Sequence, residues 1–401
     1  MKARSVSMVD FYRTQAFNPV LIRIEDEQIW KDHLSKRMNL YERHLGIPLT
    51  LLEGRRVLEF GCNSGENGLV LAASGARLTF VEPNREVLPR LRELFQRMRL
   101  DSQIEAIHEA EIQSFDTEEL FDLVIAEGFL STLADRDQML SKLLRFVKPM
   151  GFCIISYNDR CGGLLEMLKR AILFRAYALL HVKDVQSDRA LDIASAFFQE
   201  DFQKLNASRS FETWWRDTMV APVYTAQDLW SCRDILPVIE SSGCLLQATS
   251  PVWSTWEHFN WYKNTTVLSE VNTRFLDEWK RHLAYFVTGF RPYTECQSIA
   301  LESAIADAEY LVQALSRVAE GELDPVALRG RTSDLLAYFR THPDDRFGVL
   351  ADQLSLLMEA LSAESYEGLL TIYQESSLLR SAWGTPYHYF CIKKLFTSSS
   401  E

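Results

Sequence analysis

The sequence lacks any obvious metal-ligand spacing. Its seven cysteines, Cys62, Cys153, Cys161, Cys232, Cys244, Cys296 and Cys391, never fall into a C-x-x-C pair. Such an odd, dispersed set fits reduced thiols better than a disulfide framework or a zinc site. The eight histidines show no ligand pattern either, and His108 and His258 read as ordinary polar or half-buried side chains. No metal is expected. Positive charge is also short, with 43 Lys and Arg against 55 Asp and Glu and a formal net charge of −12. Without a broad basic field, nucleic acid is not an expected partner. The start, MKARSVSMVDFYRTQAF, has no long apolar core, so no secretory signal is read and a cytoplasmic location is expected. The most apolar long window, Leu164 to Val182, is interrupted by Lys169, Arg170 and Arg175. A spanning helix needs about 20 mostly apolar residues. The window therefore reads as an amphipathic lid helix packed on the protein, with no integral membrane segment. Internal repeats and low-complexity tracts are absent as well.

Apolar residues are plentiful. Of 401 residues, 47% are hydrophobic, enough for a large core in one big domain or two ordinary ones. Residues 24–46 read as a helix stopped by Gly46. Short apolar strands are expected at Val57–Phe60, Leu78–Val81, Ile104–Ile107, Phe121–Ala126 and Phe152–Ser156. Helices are expected between them at Asn67–Ser74, Glu86–Arg99 and Asp137–Val147, the last closed by Lys148-Pro149-Met150-Gly151. Alternating strands and helices imply a parallel sheet covered on both faces. After Asn158 the pattern becomes helical and aromatic. Arg233–Leu246 reads as helix, Gly243 turn and strand; residues 266–380 read as helical with a break near 321–331; Pro386–Lys394 reads as a late strand.

The chemistry concentrates in VLEFGCNSGENG, Val57 to Gly68. Strand, glycine-rich turn, helix is how open α/β sheets hold nucleotide-like ligands beyond the carboxyl ends of their strands. The spacing Gly61, Gly65, Gly68 departs from the dinucleotide fingerprint, with Asn63 where a central glycine is usual. Glu59, inside the strand end, would repel a pyrophosphate but could pair with an ammonium group. Glu82 follows 23 residues later, a separation that suits ribose hydroxyls. The expected ligand therefore carries a cation and a ribose.

Several segments in order, VLEFGCNSG, LTFVEPN, HEAEIQSF, FDLVIAEGFLSTLAD and LLRFVKPMGFCIIS, resemble class I S-adenosylmethionine-dependent methyltransferases. The resemblance covers residues 55–160, and 225–255 and 385–394 more weakly. It implies an α/β, Rossmann-like sheet with helices on both faces, plus helical insertions including a large C-terminal helical region. It also implies S-adenosyl-L-methionine as cofactor. In that pattern Glu59 and the loop residues Gly61, Cys62, Asn63, Gly65 and Asn67 hold the methionine part. Glu82, followed by Pro83, takes the ribose, Glu109 and Ala110 flank adenine, and Phe129 packs near the cofactor. Glu127, at the end of the fourth strand, is placed for both cofactor contact and methyl transfer, with Tyr157 and Asn158 as further candidates to touch the acceptor. Two positions depart from the pattern: Asn63 for glycine, and Glu109 for the commoner aspartate.

Other readings stand beside these. Glu127 could instead cap a helix beginning near Ser131. Cys62 is expected to pack rather than react. Six tryptophans, Trp214, Trp215, Trp230, Trp253, Trp256 and Trp261, read first as core and second as an aromatic acceptor pocket. The expected organisation is an N-terminal helical segment (1–54), a cofactor-binding core (55–160), a helical insert (161–227), a core continuation (228–265), a helical region (266–380), and a final strand and tail (381–401) in which the strand rejoins the sheet antiparallel. The expected function is methyl transfer to an O or N nucleophile of a small molecule or natural product. A protein or peptide acceptor is the alternative, since ISYNDRCGGLLEMLKRAILF is loosely similar to bacterial protein lysine methyltransferases. A non-catalytic, cofactor-binding regulatory protein is a further alternative. The helical region could carry a homodimer interface.

Overall fold

A computed structural model describes residues 26–205, 210–222, 224–253, 268–291, 301–322, 328 and 331–395. The expectations for residues 1–25, for Trp256 and Trp261, and for the tail after 395 lie outside these. Two compact units emerge: Met1–Tyr157 with Cys232–Glu278 and His388–Glu401, and Asn158–Ser231 with Trp279–Tyr387.

The first unit is built on strands β1 (Arg56–Phe60), β2 (Arg77–Val81), β3 (Ile104–His108), β4 (Phe121–Ala126), β5 (Val147–Asp159, its last two residues in the second unit), β7 (Cys244–Ser250) and β8 (Tyr387–Lys394). Strand β6, only Leu229–Trp230, belongs to the second unit and pairs with Asn158 and Asp159 of β5. The order is β3-β2-β1-β4-β5-β8-β7. Strands β1 to β5 pair in parallel. Strand β8 runs antiparallel to β7, with Leu246 opposite Ile392. Chain order reverses between β1 and β4, so the crevice beyond their carboxyl ends is the switch point where such sheets bind ligands.

The central strands are largely apolar because both of their faces are covered: Val57, Leu58 and Phe60 of β1 and Leu123 to Ala126 of β4 are buried. Three helices set the loop ends. Helix α1 (Glu27–Met38) is capped by Asp26, whose side chain accepts from the backbone N–H groups of Gln28 and Ile29, and continues as a π-turn over Asn39–His44. Helix α2 (Glu66–Ala73) follows β1 directly, and α3 (Leu88–Arg97) follows β2. One core joins Tyr41 and Leu45, Val57, Leu69 to Ala72, Phe80, Leu91 and Phe95.

Strand β5, expected from Phe152, starts instead at Val147 and runs through Lys148-Pro149-Met150-Gly151. A register shift opposite Phe121–Leu123 absorbs this stretch, and Met150 takes a positive φ of 65°. Gly151 is required there, since a Cβ would stand 2.9 Å from the Asp122 carbonyl oxygen.

The second unit is mainly helical. Leu164–Leu179, expected to be amphipathic, is buried nearly all round, and even Lys169 and Arg170 are enclosed. Arg170 donates to the carbonyls of Thr218 and Ala221. Among the described residues, no helix is long and apolar enough to cross a membrane.

Candidate functional site

The loop from β1 to α2 owes its shape to three left-handed residues: Gly61 (φ 64°), Asn63 (φ 50°) and Gly65 (φ 85°). Asparagine tolerates that region better than most side chains, so its place in a usually glycine position follows from backbone geometry. Gly65 precedes the first turn of α2, and its own Cβ would crowd Leu91 and Phe95. At Gly68 a Cβ would stand 2.8 Å from the Phe80 ring and 2.9 Å from Glu59 Oε2. The Phe129 ring lies directly over Gly61.

Four carboxylates converge on this loop. Glu59 is 4% exposed, and its Oε2 has no hydrogen-bond partner among the described residues. Burial, reinforced by the charge of Glu127, pushes its carboxyl up to about 8. Glu82 accepts backbone N–H groups from Asn63 and Asn84, both at 2.8 Å, one on each oxygen. Burial raises its pKa while those two bonds oppose the rise. Each of its oxygens keeps a second lone pair for a further donor. Glu66, at the start of α2, is held by the Ser64 hydroxyl at 2.7 Å and by Arg90.

Glu127 differs from the other three. Arg37 of α1 grips it with both terminal nitrogens, Nη1 to Oε2 at 2.9 Å and Nη2 to Oε1 at 2.6 Å. Their side chains are 8% and 10% exposed. The same Nη2 donates to the Tyr41 hydroxyl at 2.9 Å. Glu127 Oε2 also accepts from Asn67 Nδ2 at 3.4 Å and from the Tyr389 hydroxyl at 3.3 Å. Burial disfavours the Arg37 cation, but the Glu127 charge outweighs it and its pKa ends well above the ordinary value. Removing one partner from such a buried pair costs about 3–5 kcal/mol. His33, one turn before Arg37, bonds the Glu66 carbonyl at 3.2 Å, and burial holds its pKa down.

The geometry brings together Glu59, Gly61, Asn63, Gly65, Asn67, Glu82, Glu127 and Phe129. Pro83 follows Glu82 and is half-buried. Cys62 is buried, and burial with the charge of Glu59 pushes its thiol pKa well up, so it packs as an unreactive side chain. Glu109 is exposed and Ala110 half-buried; they line a groove of about 630 Å³ with Thr79, Ile107, Phe115 and Phe121. Glu127 does not cap the turn at Leu130–Thr132, which has no side-chain cap. Ser156 Oγ accepts from the Gly128 N–H at 2.8 Å, and strand alternation turns its neighbour Tyr157 to the opposite face. There Tyr157 packs against Phe390, 4.9 Å between centroids, and His388. Asn158 lies in the second unit, paired with Leu229.

Trp253 packs on His388 and Phe390. Trp214, Trp215 and Trp230 are buried in the second unit, where Trp214 stacks among Phe202, Phe211 and Trp383. These four follow the core reading. Among the described residues, no group of three His, Cys, Asp or Glu could hold a metal ion.

Sequence reasoning did not single out Arg37, Tyr41 or Tyr389. The only local signal was the i, i+4 spacing of Arg37 and Tyr41 within the expected helix 24–46, which marks a shared face and nothing about its partner.

Residues 58–153 match the family described as methyltransferase domain. This segment is a methyltransferase domain. A cypemycin N-terminal methyltransferase from a Streptomyces species is 30% identical over 121 residues, 28% of this chain and 47% of that protein. The chain thus spans about half the length of the curated relative it matches. Among solved structures, the N-methyltransferase NodS of Bradyrhizobium japonicum is 20% identical over 37% of this chain and 73% of that one, with a TM-score of 0.29. The cyclase SpnF is 10% identical over 95% of this chain and 86% of that one, with a TM-score of 0.36.

The methyltransferase domain's residues fit the cofactor. An unpartnered, buried Glu59 oxygen offers an ammonium its counter-charge. Gly61 lets the Phe129 ring, and Gly68 lets Glu59, close on the loop as no residue with a Cβ would, and Glu82 keeps acceptor capacity for hydroxyls.

Proposed function

We propose that the protein transfers a methyl group from S-adenosyl-L-methionine to an O or N nucleophile of a small-molecule or peptide natural product. The orphaned carboxylate oxygen of Glu59, buried beside a left-handed glycine loop, carries this reading, because an ammonium group would give it both a donor and a counter-charge. Glu59 and the loop Gly61–Gly65, with Asn67 on α2, bind the methionine end. Glu82, fixed by the Asn63 and Asn84 N–H groups, accepts the ribose hydroxyls. Glu109 and Ala110 border the base, and Phe129 closes over Gly61. The bound sulfonium supplies an already activated methyl, so the chain's task is to align the acceptor and exclude water. Glu127, in the methyl-transfer position of the family pattern, orients the acceptor and takes its proton when there is one to lose. Tyr157 and Asn158 act through the shape of the end of β5.

A peptide N-terminal amine is a second reading, favoured by the cypemycin methyltransferase relative. The test is calorimetric titration with S-adenosylmethionine and S-adenosylhomocysteine, beside Glu82→Ala, followed by a labelled-methyl screen of small molecules and peptides. Micromolar binding, about −8 kcal/mol, abolished in the variant supports the proposal. Absence of binding by the wild type refutes it, and binding without turnover on any acceptor favours a regulatory protein.

A further inference from the structure

We infer that Arg37 is a shared cation, divided between Glu127 and the carboxylate of the bound cofactor's methionine end, so that cofactor binding unmasks Glu127 for the acceptor. The inference rests on the cofactor reading above and adds an order of events to it.

Among the buried atoms of this unit that have no hydrogen-bond partner in the described residues, two belong to groups of opposite charge. Glu59 Oε2 has no hydrogen-bond partner, and neither has Nε of Arg37. The two side chains act on each other electrostatically, the Arg37 guanidinium drawing the Glu59 pKa back down against burial. A buried guanidinium edge and a buried carboxylate oxygen left open at one site match a ligand bearing ammonium and carboxylate on the same carbon. Buried polar groups are rarely left unsatisfied without a reason. A ligand with an ammonium alone would satisfy Glu59 and leave Arg37 Nε stranded.

The bidentate grip on Glu127 has a second consequence. Both oxygens of Glu127 are engaged by Arg37 at 2.6 and 2.9 Å, and Oε2 carries Asn67 and Tyr389 besides. A carboxylate so engaged has few lone pairs left to offer an acceptor amine. When Arg37 turns part of its fork to a ligand carboxylate, Glu127 keeps Tyr389 and Asn67 and regains lone pairs. The arginine that holds α1 over the loop therefore makes the acceptor position depend on the cofactor being in place.

The test compares two ligands by calorimetry, S-adenosylhomocysteine and 5′-methylthioadenosine, which lacks the whole amino-acid end. In Arg37→Gln, affinity for S-adenosylhomocysteine is expected to fall about ten- to a hundredfold, the worth of a charged hydrogen bond, while 5′-methylthioadenosine binds as to the wild type. The second ligand thus also reports that the variant is folded. In Glu127→Gln, removal of the competitor is expected to tighten S-adenosylhomocysteine about fivefold, as a larger fraction of Arg37 becomes competent, again without change for 5′-methylthioadenosine. Equal losses for both ligands in Arg37→Gln would make Arg37 merely structural and overturn the inference. So would a Glu127→Gln variant whose affinity for S-adenosylhomocysteine is unchanged or weaker. If the wild type binds neither ligand, the cofactor reading itself fails.

Discussion

Glu59→Gln is expected to stabilise the ligand-free protein while destroying its binding site. The Glu59 carboxyl sits at about 8 in the folded protein and near 4.5 when unfolded, chiefly because of burial and then because of Glu127. A folded pKa above the unfolded value means the native state holds the extra proton between those pH values. Stability from this group is therefore full below about pH 4.5 and is lost as pH rises to about 8. Each pH unit is about 1.4 kcal/mol, so the loss approaches roughly 5 kcal/mol above pH 8. An amide keeps the shape and carries no charge to bury. Urea unfolding of both proteins at half-unit steps from pH 5 to 9 is the assay. The variant should gain on the wild type progressively with pH, by a few kcal/mol at pH 8, and should lose measurable affinity for S-adenosylhomocysteine. Asp159, which burial pushes up to about 7, contributes the same sign to both proteins and cancels in the difference. Parallel pH profiles would refute the reasoning, because they would mean Glu59 is ionised at no cost where it sits.

Three further outcomes follow from two glycines and a buried lysine. Gly68→Ala should lower unfolding stability by about 1–3 kcal/mol through overpacking against Phe80 and Glu59, and weaken cofactor binding; Gly348→Ala, a helical site with nothing within 4 Å, should instead gain about 0.5–1 kcal/mol, and both are read by urea midpoints. Lys169, donating to the Ala382 carbonyl at 2.6 Å and lying over the Trp383 ring, is pushed down to about 7 by burial, with Asp201 and Glu166 opposing. The unfolded chain then binds the extra proton between about pH 7 and 10.5, so stability from this group rises across that window. Lys169→Met should flatten the rise in urea titrations from pH 7 to 10.

Much of the first unit was legible because its signals are local. Each of β1 to β4 is a short apolar run, and the helix after β1 lies between two glycines whose φ is positive, Gly65 and Gly75. Glu59, Gly61, Gly65 and Glu82 lie within a few dozen residues, so one pass along the chain finds them. Proline and glycine at Lys148–Gly151 read as the close of the preceding helix, yet β5 carries them through a register shift that only the neighbouring strand reveals. Arg37 and Tyr389 could not be found that way. They reach Glu127 from 90 residues before and 262 after. A buried arginine on a helix face looks like a solvated one until its partner is seen.

The place of β8 in the sheet bears on how the protein is made. It lies between β5 and β7, so an interior slot stays vacant until the ribosome has delivered residues 388–394. Until then β5 and β7 expose open edges on either side of a gap, the kind of surface on which chains aggregate or recruit chaperones. Losing the last few strand residues would therefore not trim a frayed end. It would remove a middle plank and, with Tyr389, one of the groups that hold Glu127. The nascent chain cannot complete its sheet, or the contacts around Glu127, until residues 388–394 have been translated.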